Sequence, residues 1–386
     1  LLDAAPSADF AFPELPETAT ASMCYTSGTT GHPKGVVYSH RSTELHSMAS
    51  QAGSMCAFSD RDAILMIVPM FHVNAWGIPY AAYMSGADLV MPGRFLTAEK
   101  LVELMALEKP SFAAAVPTIW NDVLNYTEGK DVDLSHLRQV TCGGAAVPRS
   151  LMERFESRFG VRIIQAWGMT ETSPVGAVAP PPRGVSGQEA MDYRAKTGRP
   201  VAGVELRIVD DGGNVLPWDG QSVGEIEVRG PWITARYYKD DDPTRFRDGY
   251  LRTGDVGHID ALGYVQITDR SKDVIKSGGE WISSVELEGR LMAHPGVLEA
   301  AVVGVPDEKW SERPLACVVR RPDSQVSAEE LAGFLAKQVA SFWVPERFAF
   351  IAQVPRTSVG KFDKKVLRAQ YAQGELTVEE LTKRSP

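Results

Sequence analysis

Short apolar runs alternate with helix-like stretches over the first half of the chain, and this alternation limits the fold more than any other feature. From Ser22 to about Val178 the runs are ILMIVP, DLVMPG, FAAAVP, VTCGG and RIIQAWG, and the stretches between them include TAEKLVELMALEK and PRSLMERFESRFG. Strands that alternate with helices build layered α/β domains with a largely parallel sheet. Because such sheets bind ligands at the carboxyl ends of their strands, we expect the functional residues there.

The pattern changes twice further along the chain. Runs such as VELRIVD, GEIEVRG and YVQITD, separated by DDGG, DG and ALG turns, indicate a β-rich subdomain at about 198–268. After Asp269 a helix (SSVELEGRLMAHPG), a strand (LEAAVVGVP) and another helix (AEELAGFLAKQVA) follow. We therefore predict a large α/β layered domain over 1–268 that includes the β-rich subdomain, and a small α+β domain over 269–386.

The composition excludes several classes of protein. With 44% hydrophobic and 23% charged residues, the chain is neither disordered nor fibrous. Its 40 Lys and Arg against 49 Asp and Glu give a net charge of -9, and no basic run could follow a phosphate backbone, so nucleic acid is not an expected partner.

The cysteines and the apolar runs bear on the compartment. The four cysteines lie far apart and form no C-x-x-C pair, so neither a zinc site nor a dense disulfide framework is indicated, and a reducing cytoplasm fits best. The longest apolar runs, such as AAVVGV, are far shorter than the roughly 20 residues that span a bilayer. Peripheral membrane contact and a homodimer remain open.

The chain opens with LLDAAPSADFAFPELPETAT, which has no initial Met and no signal peptide and reads as a linker into an established domain. We expect a segment upstream of it.

The loop YTSGTTGHPKG, from Tyr25 to Gly35, combines flexible backbone, hydroxyl groups and one cation. Gly28 and Gly31 free the backbone to turn N–H groups toward an anion, and Lys34 supplies a positive charge. The hydroxyl donors are Thr26, Ser27, Thr29 and Thr30. The loop is not the common G-x-x-x-x-G-K-[ST] motif, because Gly31 and Lys34 are not adjacent. A surface loop is the alternative, but the full string with PKG favours a phosphate loop.

This loop resembles the phosphate-loop signature of the adenylate-forming superfamily, to which acyl-CoA synthetases, peptide-synthetase adenylation domains and beetle luciferases belong. Four further motifs match the superfamily in the same order: WGMTET at 167–172, YLRTGD at 250–255, DRSKDVIKSGGEWISSVELE at 269–288 and PRTSVGK at 355–361. The resemblance therefore covers essentially the whole chain from Ser22 onward. The resemblance implies the adenylate-forming fold, with part of the large domain missing at the N-terminus and a small mobile C-terminal domain.

The resemblance also implies an activity. A carboxylic acid, most simply a fatty acid, is activated by ATP as acyl-AMP with release of pyrophosphate, and the acyl group is then transferred to CoA with release of AMP. A carboxylate is a poor electrophile, so activation as a mixed anhydride has a chemical reason independent of the family. ATP, CoA and Mg²⁺ are the expected co-substrates and metal. A CoA ligase for a small alkyl or methylthio acid, and an enzyme that loads a carrier-protein thiol, are the alternatives.

Family analogy assigns the nucleotide site. Glu171, with Thr26, would hold Mg²⁺, which prefers few protein ligands. Asp255, which follows the strand-like run YLRTG in a TGD turn, would accept hydrogen bonds from the ribose hydroxyls, and Arg270 would reach the ribose or phosphate. Trp167 replaces a tyrosine that commonly stacks on adenine in relatives, and it keeps a flat aromatic face. The other residues assigned to ATP or AMP are Gly143, Gly144, Ala145, Ala166, Gly168, Met169 and Thr170.

The segment VPMFHVNAWGIPY, at 68–80, bears on which class of acid is the substrate. Amino-acid-activating relatives typically carry Phe-Asp where this chain has Phe71-His72, so an amino acid would lose the carboxylate that pairs with its ammonium group. His72 would lie near the substrate carboxylate and the α-phosphate, and Trp76 sits where fatty acyl-CoA synthetases have an aromatic gate to the acyl tunnel. A structural histidine and a plain core tryptophan are the alternatives.

Two lysines would serve the two half-reactions. Family analogy puts Lys276 and Lys361 on opposite faces of the small domain, so a rigid domain cannot bring both to the reaction centre at once. We predict that Lys361 stabilises adenylation, and that rotation about the hinge Asp269 then brings in Lys276. The CoA-channel loop that would accompany Lys276 comprises Gly278, Gly279 and Trp281.

Two other classes of protein remain as alternatives. A phosphate-loop kinase or NTPase would need the Gly-Lys-Ser/Thr sequence that this loop lacks, and would release ADP. A non-catalytic nucleotide-binding protein would not need the four candidate groups Thr170, Glu171, Lys276 and Lys361, all of which are present.

Overall fold

The computed structural model describes residues 13–26, 33–210, 212–240, 242–270, 273–278, 280–357 and 361–381, with the side chains of residues 270, 280 and 281 excepted.

An antiparallel hairpin comes first. It consists of β1 (Thr20–Tyr25) and β2 (Gly35–Ser39), and it is followed by helix α1 (His40–Ser50). Ser39 and Ser42 form a reciprocal capping box at the start of α1, which satisfies two backbone N–H groups. The predicted phosphate loop therefore joins two antiparallel strands, and its residues 27–32 lie outside the described residues.

The central sheet has the strand order β4-β3-β5-β6-β7-β8-β9 within the described residues. Its elements are β3 (Ala63–Met66), the short turn α2 (Val73–Trp76), α3 (Ile78–Ser85), β4 (Asp88–Val90), α4 (Ala98–Glu108), β5 (Phe112–Ala115), α5 (Pro117–Tyr126), β6 (Gln139–Gly143), α6 (Arg149–Phe159), β7 (Ile163–Gly168), β8 (Val175–Val178), α7 (Gly187–Arg194) and β9 (Arg199–Pro200). The first five strands in this order are parallel, and β8 and β9 are antiparallel to their neighbours.

Burial explains why this sheet forms. All four residues of β5 are buried, as expected for a central strand that is covered on both faces. On one face, α4, α5 and α6 pack Met105, Trp120 and Phe155 into the core, each 0% exposed. These contacts fix the carboxyl ends of β5, β6 and β7, where the candidate site lies.

A second sheet follows in chain order. Its strands are β10 (Glu205–Val209), β11 (Gly224–Arg229), β12 (Phe246–Arg247), β13 (Tyr250–Ile259) and β14 (Val265–Arg270). These strands pair antiparallel, in the order β10-β11-β13-β12 with β14 on β13.

The last part of the described chain is an α+β unit. It contains β15 (Ile275–Ser277), β16 (Glu280–Ile282), α8 (Ser284–Met292), β17 (Val297–Asp307), β18 (Ser311–Arg320), α9 (Ala328–Leu335), β19 (Arg347–Phe350), α10 (Lys364–Ala372) and β20 (Val378–Glu380). The strand order is β16-β15-β18-β19-β20, with β17 also paired to β18.

The predicted α/β fold with a β-rich part and a C-terminal α+β part is confirmed, with two local differences. Asp255 does not follow a strand but lies inside β13, where the pairing register with β11 shifts and Gly254 has φ of 72°. Helix α9 ends at Leu335 rather than continuing through Ala340. The domain boundary at Asp269 remains a prediction, and β14 runs through it.

Candidate active site

A cavity of about 650 Å³ lies at the carboxyl ends of β5, β6 and β7. Its lining includes polar side chains, among them Thr26, Lys34, Thr170, Glu171, Thr253 and Lys361. It also includes an apolar cluster in which Trp76 packs against the buried residues Phe58, Ile78 and Phe112. The placement agrees with the expectation that strand ends carry the site. A cavity lined by polar side chains and by an apolar cluster suits a ligand that has both a polar and an apolar part.

Lys361 reaches the cavity from the C-terminal part of the chain and lies against Gly144. A Cβ atom on Gly144 would be 3.3 Å from Lys361 Cε and 3.2 Å from Val116 Cγ1, and Gly144 has φ of 82°. Burial, and then the charge of Lys361, lower the pKa of His72 from 6.5 to about 4. His72 is therefore neutral near pH 7, and the structure brings these two predicted residues together.

Lys276 does not line this cavity. Its side chain is exposed, and its backbone N–H donates to Glu312 Oε2 at 3.0 Å. Gly278 follows in the same loop, where a Cβ would lie 2.5 Å from the Trp310 ring. Gly279 lies outside the described residues, and for Trp281 only the backbone, paired with Lys276, is described. This is the arrangement that the two-lysine hypothesis requires for adenylation, although the roles themselves remain predictions.

Glu171 is a buried carboxylate, 7% exposed, in the short 3-10 turn Thr170–Thr172 that follows β7. Tyr237 donates its hydroxyl to Glu171 Oε1 at 2.7 Å, and Tyr38 donates its hydroxyl to the carbonyl of Thr170, also at 2.7 Å. Burial, and then the Glu171 charge, raise the pKa of Tyr237 above its usual value. Tyr237 therefore stays protonated and remains a donor.

Thr26 and Lys34 lie at the two ends of the predicted phosphate loop, and the structure describes both of them. Thr26 donates its backbone N–H to the carbonyl of Lys34 at 2.9 Å, which closes the base of the loop. Lys34 Nζ lies 2.5 Å from the carboxylate of Asp240 and 5.0 Å from the centroid of the Tyr237 ring.

Trp167 and Asp255 are linked directly. The indole N–H of Trp167 donates to Asp255 Oδ2 at 2.8 Å, and Asp255 is 3% exposed. The Trp167 ring leaves no room for a side chain at position 176, because a Cβ on Gly176 would be 2.4 Å from it. Trp167 lines the cavity with Ala166, Gly168 and Met169, whereas Asp255 lies just behind the lining residues Thr253 and Gly254.

Gly143 and Gly144 support the Trp76 ring, whose nearest atoms would be 3.6 and 3.7 Å from Cβ atoms at these positions. Ala145 is exposed and is not among the lining residues. The backbone that carries Trp76 has positive φ from Val73 through Gly77, between 49° and 70°. Consecutive left-handed non-glycine residues are strained.

Asn74 connects this strained turn to β1 through side-chain hydrogen bonds. Its amide donates to Ser22 Oγ at 2.7 Å and accepts from Cys24 Sγ at 3.4 Å. His46 packs against Gly77, where a Cβ would lie 2.9 Å from the imidazole. Neither Asn74 nor His46 was predicted from the sequence to have a role, although Asn74 lies within the segment at 68–80.

His46 is 2% exposed, and burial lowers its pKa from 6.5 to about 4. Because the folded pKa is depressed, the unfolded chain binds a proton first, and stability is lost as the pH falls from about 6.5 toward 4. We expect this residue alone to account for about 2 to 3 kcal/mol of that loss. Urea unfolding at pH 7 and pH 4.5 should show a smaller decrease for His46→Gln than for the unaltered protein. The same decrease in both would contradict the assignment.

The predicted hinge residue Asp269 is 2% exposed. Its carboxylate accepts hydrogen bonds from the backbone N–H and the hydroxyl of Ser284, at the start of α8. Lys364 also donates to Ser284 Oγ and lies 2.8 Å from Glu288. The neighbouring residue Arg270 is opposite Asp255 in the β13–β14 register.

Comparison with known proteins shows which family the chain belongs to. Residues 3–238 match the AMP-binding enzyme family, and residues 286–361 match the AMP-binding enzyme C-terminal domain. The chain therefore belongs to the AMP-binding enzyme family. This confirms the resemblance that the five ordered motifs indicated.

Individual relatives are similar over nearly the whole chain. A long-chain-fatty-acid–CoA ligase of Thermus thermophilus is 49% identical over 92% of this chain and 67% of its own length. A 3-methylmercaptopropionyl-CoA ligase of Ruegeria pomeroyi is 47% identical over 94% of this chain and 68% of its own length. ATP-bound MatB from Rhodopseudomonas palustris has the same fold, with a TM-score of 0.81 at 28% identity over 94% of this chain and 70% of that one. These relationships give the chain the chemistry of an AMP-forming acid–CoA ligase, as the sequence predicted.

Two further findings concern a membrane and a metal. In the part of the chain that the structure describes, no helix is both long enough and apolar enough to cross a bilayer. The same residues contain no cluster of three or more His, Cys, Asp or Glu side chains that could hold a metal ion by themselves.

Proposed function

We propose that the protein activates an aliphatic carboxylic acid, most simply a fatty acid, and that the alkyl chain of this acid binds against the apolar cluster of Phe58, Trp76, Ile78 and Phe112. The observation that carries this proposal is that this cluster lines the same cavity as the polar candidate residues. Burial of apolar chain atoms there is favourable because each buried methylene contributes about 0.8 kcal/mol.

The charges of the cavity favour such an acid over an amino acid. Among the described lining residues, the carboxylates belong to Glu171 and Glu225. Glu225 is paired with Arg252 at 2.6 Å, and Glu171 is hydrogen-bonded to Tyr237. By family analogy, His72 replaces the carboxylate that would pair with a substrate ammonium group, and its low pKa keeps it neutral near pH 7. A methylthio acid, as in the name of the Ruegeria relative, would fit the same features.

For the adenylation step we propose that Lys361 stabilises the charge that builds on the α-phosphate and the attacking carboxylate. His72, neutral and next to Lys361, would hydrogen-bond the same oxygens, and the Thr170 hydroxyl would donate to the phosphate. Fixed donors and cations of this kind act where charge develops in the transition state. The carboxylate oxygen bonds to the α-phosphorus while the bond from that phosphorus to pyrophosphate breaks.

The nucleotide would contact residues of both the central sheet and the second, antiparallel sheet. Lys34, Thr26 and the loop residues between them would bind the triphosphate, and Asp255, held by Trp167, would accept hydrogen bonds from the ribose. Gly143, Gly144 and the backbone of 166–169 would contact the base, as would Ala145 by analogy.

Glu171 fits the metal role that we propose for it. It is a buried carboxylate that lines the cavity beside the phosphate-loop lysine, and Mg²⁺ prefers few protein ligands with phosphate and water oxygens. Thr26 is the second candidate ligand. When bound, the ion would neutralise the phosphate charge.

For thioester formation we propose a rotation of the C-terminal part about Asp269. Lys361 would leave the cavity, and the loop with Lys276, Gly278, Gly279 and Trp281 would replace it. The CoA thiolate would attack the acyl carbonyl carbon, and AMP would leave with its oxygen. A cytoplasmic location, a homodimer and peripheral membrane contact stay predictions of the sequence.

A pyrophosphate-release assay on the full-length protein tests the proposed acid. Straight-chain acids of increasing length, 3-methylthiopropionate and an α-amino acid would be compared, each with and without CoA. We expect the highest kcat/KM for an aliphatic acid and no pyrophosphate with the amino acid. A preference for the amino acid would contradict the proposal, and the methylthio acid ranking first would select the alternative substrate.

Trp76→Ala tests whether Trp76 controls which acids bind against the apolar cluster. We expect the ratio of kcat/KM between long and short acids to change by about tenfold or more, because one methylene in a hydrophobic pocket is worth about 1–3 kcal/mol. The KM for ATP should change much less. Trp218→Ala, at a tryptophan that is 43% exposed, is the control. An unchanged acid profile would leave Trp76 as an ordinary core residue.

A further inference from the structure

Residues 237–240 contact both charged side chains of the candidate phosphate site. Tyr238 donates its backbone N–H to the carbonyl of Gly35 at 2.8 Å, next to Lys34. Lys34 Nζ itself lies 2.5 Å from the carboxylate of Asp240. The segment therefore lies against the start of β2, although it is separated from it by about 200 residues of sequence.

Tyr237 contacts opposite charges with two different parts of its side chain. Its hydroxyl donates to Glu171 Oε1 at 2.7 Å, and Lys34 Nζ lies over its ring, 5.0 Å from the centroid. A cation is attracted to the face of an aromatic ring, and a carboxylate is a strong acceptor for a hydroxyl. Tyr237 is 7% exposed and packs with Val36, Tyr38 and Val73, so its ring is fixed.

We propose that Tyr237 is a positioning residue that keeps Lys34 and Glu171 apart, so that both charges are available to the triphosphate and its metal ion. The proposal rests on the function proposed above. It adds a residue that neither the motifs nor the comparisons assign to the site.

The physical reason is the attraction between the two groups. An ammonium and a carboxylate in a partly buried cavity attract each other more strongly than in water. If they met directly, the lysine would be less available to phosphate and the carboxylate less available to the metal. The phenol separates them and gives each a partner that a ligand can share. Asp240 gives Lys34 a second partner on the same segment.

Two substitutions separate the two contacts. Tyr237→Phe keeps the ring and the cation contact but removes the hydroxyl, and Tyr237→Leu removes both. Tyr238→Phe is the matched control, because that side chain is the next in sequence and is 45% exposed. The probes are Mn²⁺, which is visible in electron paramagnetic resonance, and α,β-methylene-ATP, in which the bond that adenylation would cleave is replaced. Neither measurement depends on turnover.

We expect Tyr237→Phe to raise the Kd of Mn²⁺ in the complex with α,β-methylene-ATP by about 10- to 100-fold, as is usual when a partner of a metal ligand is removed. Affinity for the nucleotide without metal should change by less than about threefold, because Lys34 keeps its ring contact. Tyr237→Leu should weaken both by about tenfold or more. Tyr238→Phe should change neither.

A combined substitution shows whether Tyr237 acts through Glu171. In a Glu171→Gln background, Tyr237→Phe should add no further change to Mn²⁺ affinity. An unchanged Mn²⁺ Kd in Tyr237→Phe, with Glu171→Gln weakened, would overturn the role of Tyr237 and leave the proposed function intact. An unchanged Kd in Glu171→Gln itself would overturn both the metal role of Glu171 and this inference.

Discussion

Lys361→Ala lowers acid-dependent pyrophosphate release by about 10²-fold or more, the usual effect of removing one group that stabilises transition-state charge. The reason is its position, because Lys361 is the cation that the C-terminal part of the described chain places in the cavity, against Gly144 and near His72. The measurement is the initial rate of pyrophosphate release with saturating acid and ATP.

The same variant should still convert supplied acyl-adenylate and CoA to thioester. Lys276→Ala should show the reverse bias, because Lys276 lies outside the cavity in this structure and would act only after rotation. The exposed Lys365→Ala is the control and should leave both half-reactions unchanged. Equal loss of both half-reactions in both lysine variants would contradict two separate conformations.

Glu171→Gln lowers pyrophosphate release by on the order of 10³-fold, because the change keeps the shape of the side chain and removes the charge that would hold Mg²⁺ beside the phosphates. Glu171 is buried and accepts a hydrogen bond from the Tyr237 hydroxyl, which fixes its carboxylate at the cavity. The rate would be measured across a titration of Mg²⁺ at saturating ATP.

Glu189→Gln is the matched control, since Glu189 is exposed on α7. It should behave as the unaltered protein does. A Glu171→Gln enzyme that reached the unaltered rate at saturating Mg²⁺ and ATP would show that the metal role is wrong.

The architecture was predictable because local patterns and long-range contacts agree. The apolar runs became strands of the central sheet, and β5 is buried along its whole length, whereas Asp88 and Leu89 of the edge strand β4 are exposed. The turn-rich stretch became an antiparallel sheet, and the helix patterns became α4, α6 and α8. Asp255 shows the limit of such reasoning. The string TGD reads as a turn after a strand, but pairing with β11 and β14 extends β13 across it, and Gly254 absorbs the irregularity with its positive φ.

The candidate site was predictable only where a motif is continuous in sequence. Lys34, Glu171 and Lys361 each belong to such a motif, and the structure brings all three to one cavity. Tyr237 and Asp240 contact these residues from distant positions in the chain, so only tertiary structure reveals them. The left-handed turn that carries Trp76 was also hidden, because Val73 and Ala75 give no local sign of positive φ.

The fate of one oxygen atom tests the central claim, which is that the acid is joined to AMP before it is joined to CoA. The full-length protein would be given ATP, CoA and a fatty acid with both carboxylate oxygens labelled with ¹⁸O, and the nucleotide product would be analysed by mass spectrometry. Attack of a carboxylate oxygen on the α-phosphorus, followed by thiolate attack on the acyl carbon, leaves one labelled oxygen on AMP. We expect AMP with a single ¹⁸O atom, one pyrophosphate and one acyl-CoA per turnover. Unlabelled AMP, or ADP with inorganic phosphate, would contradict the account.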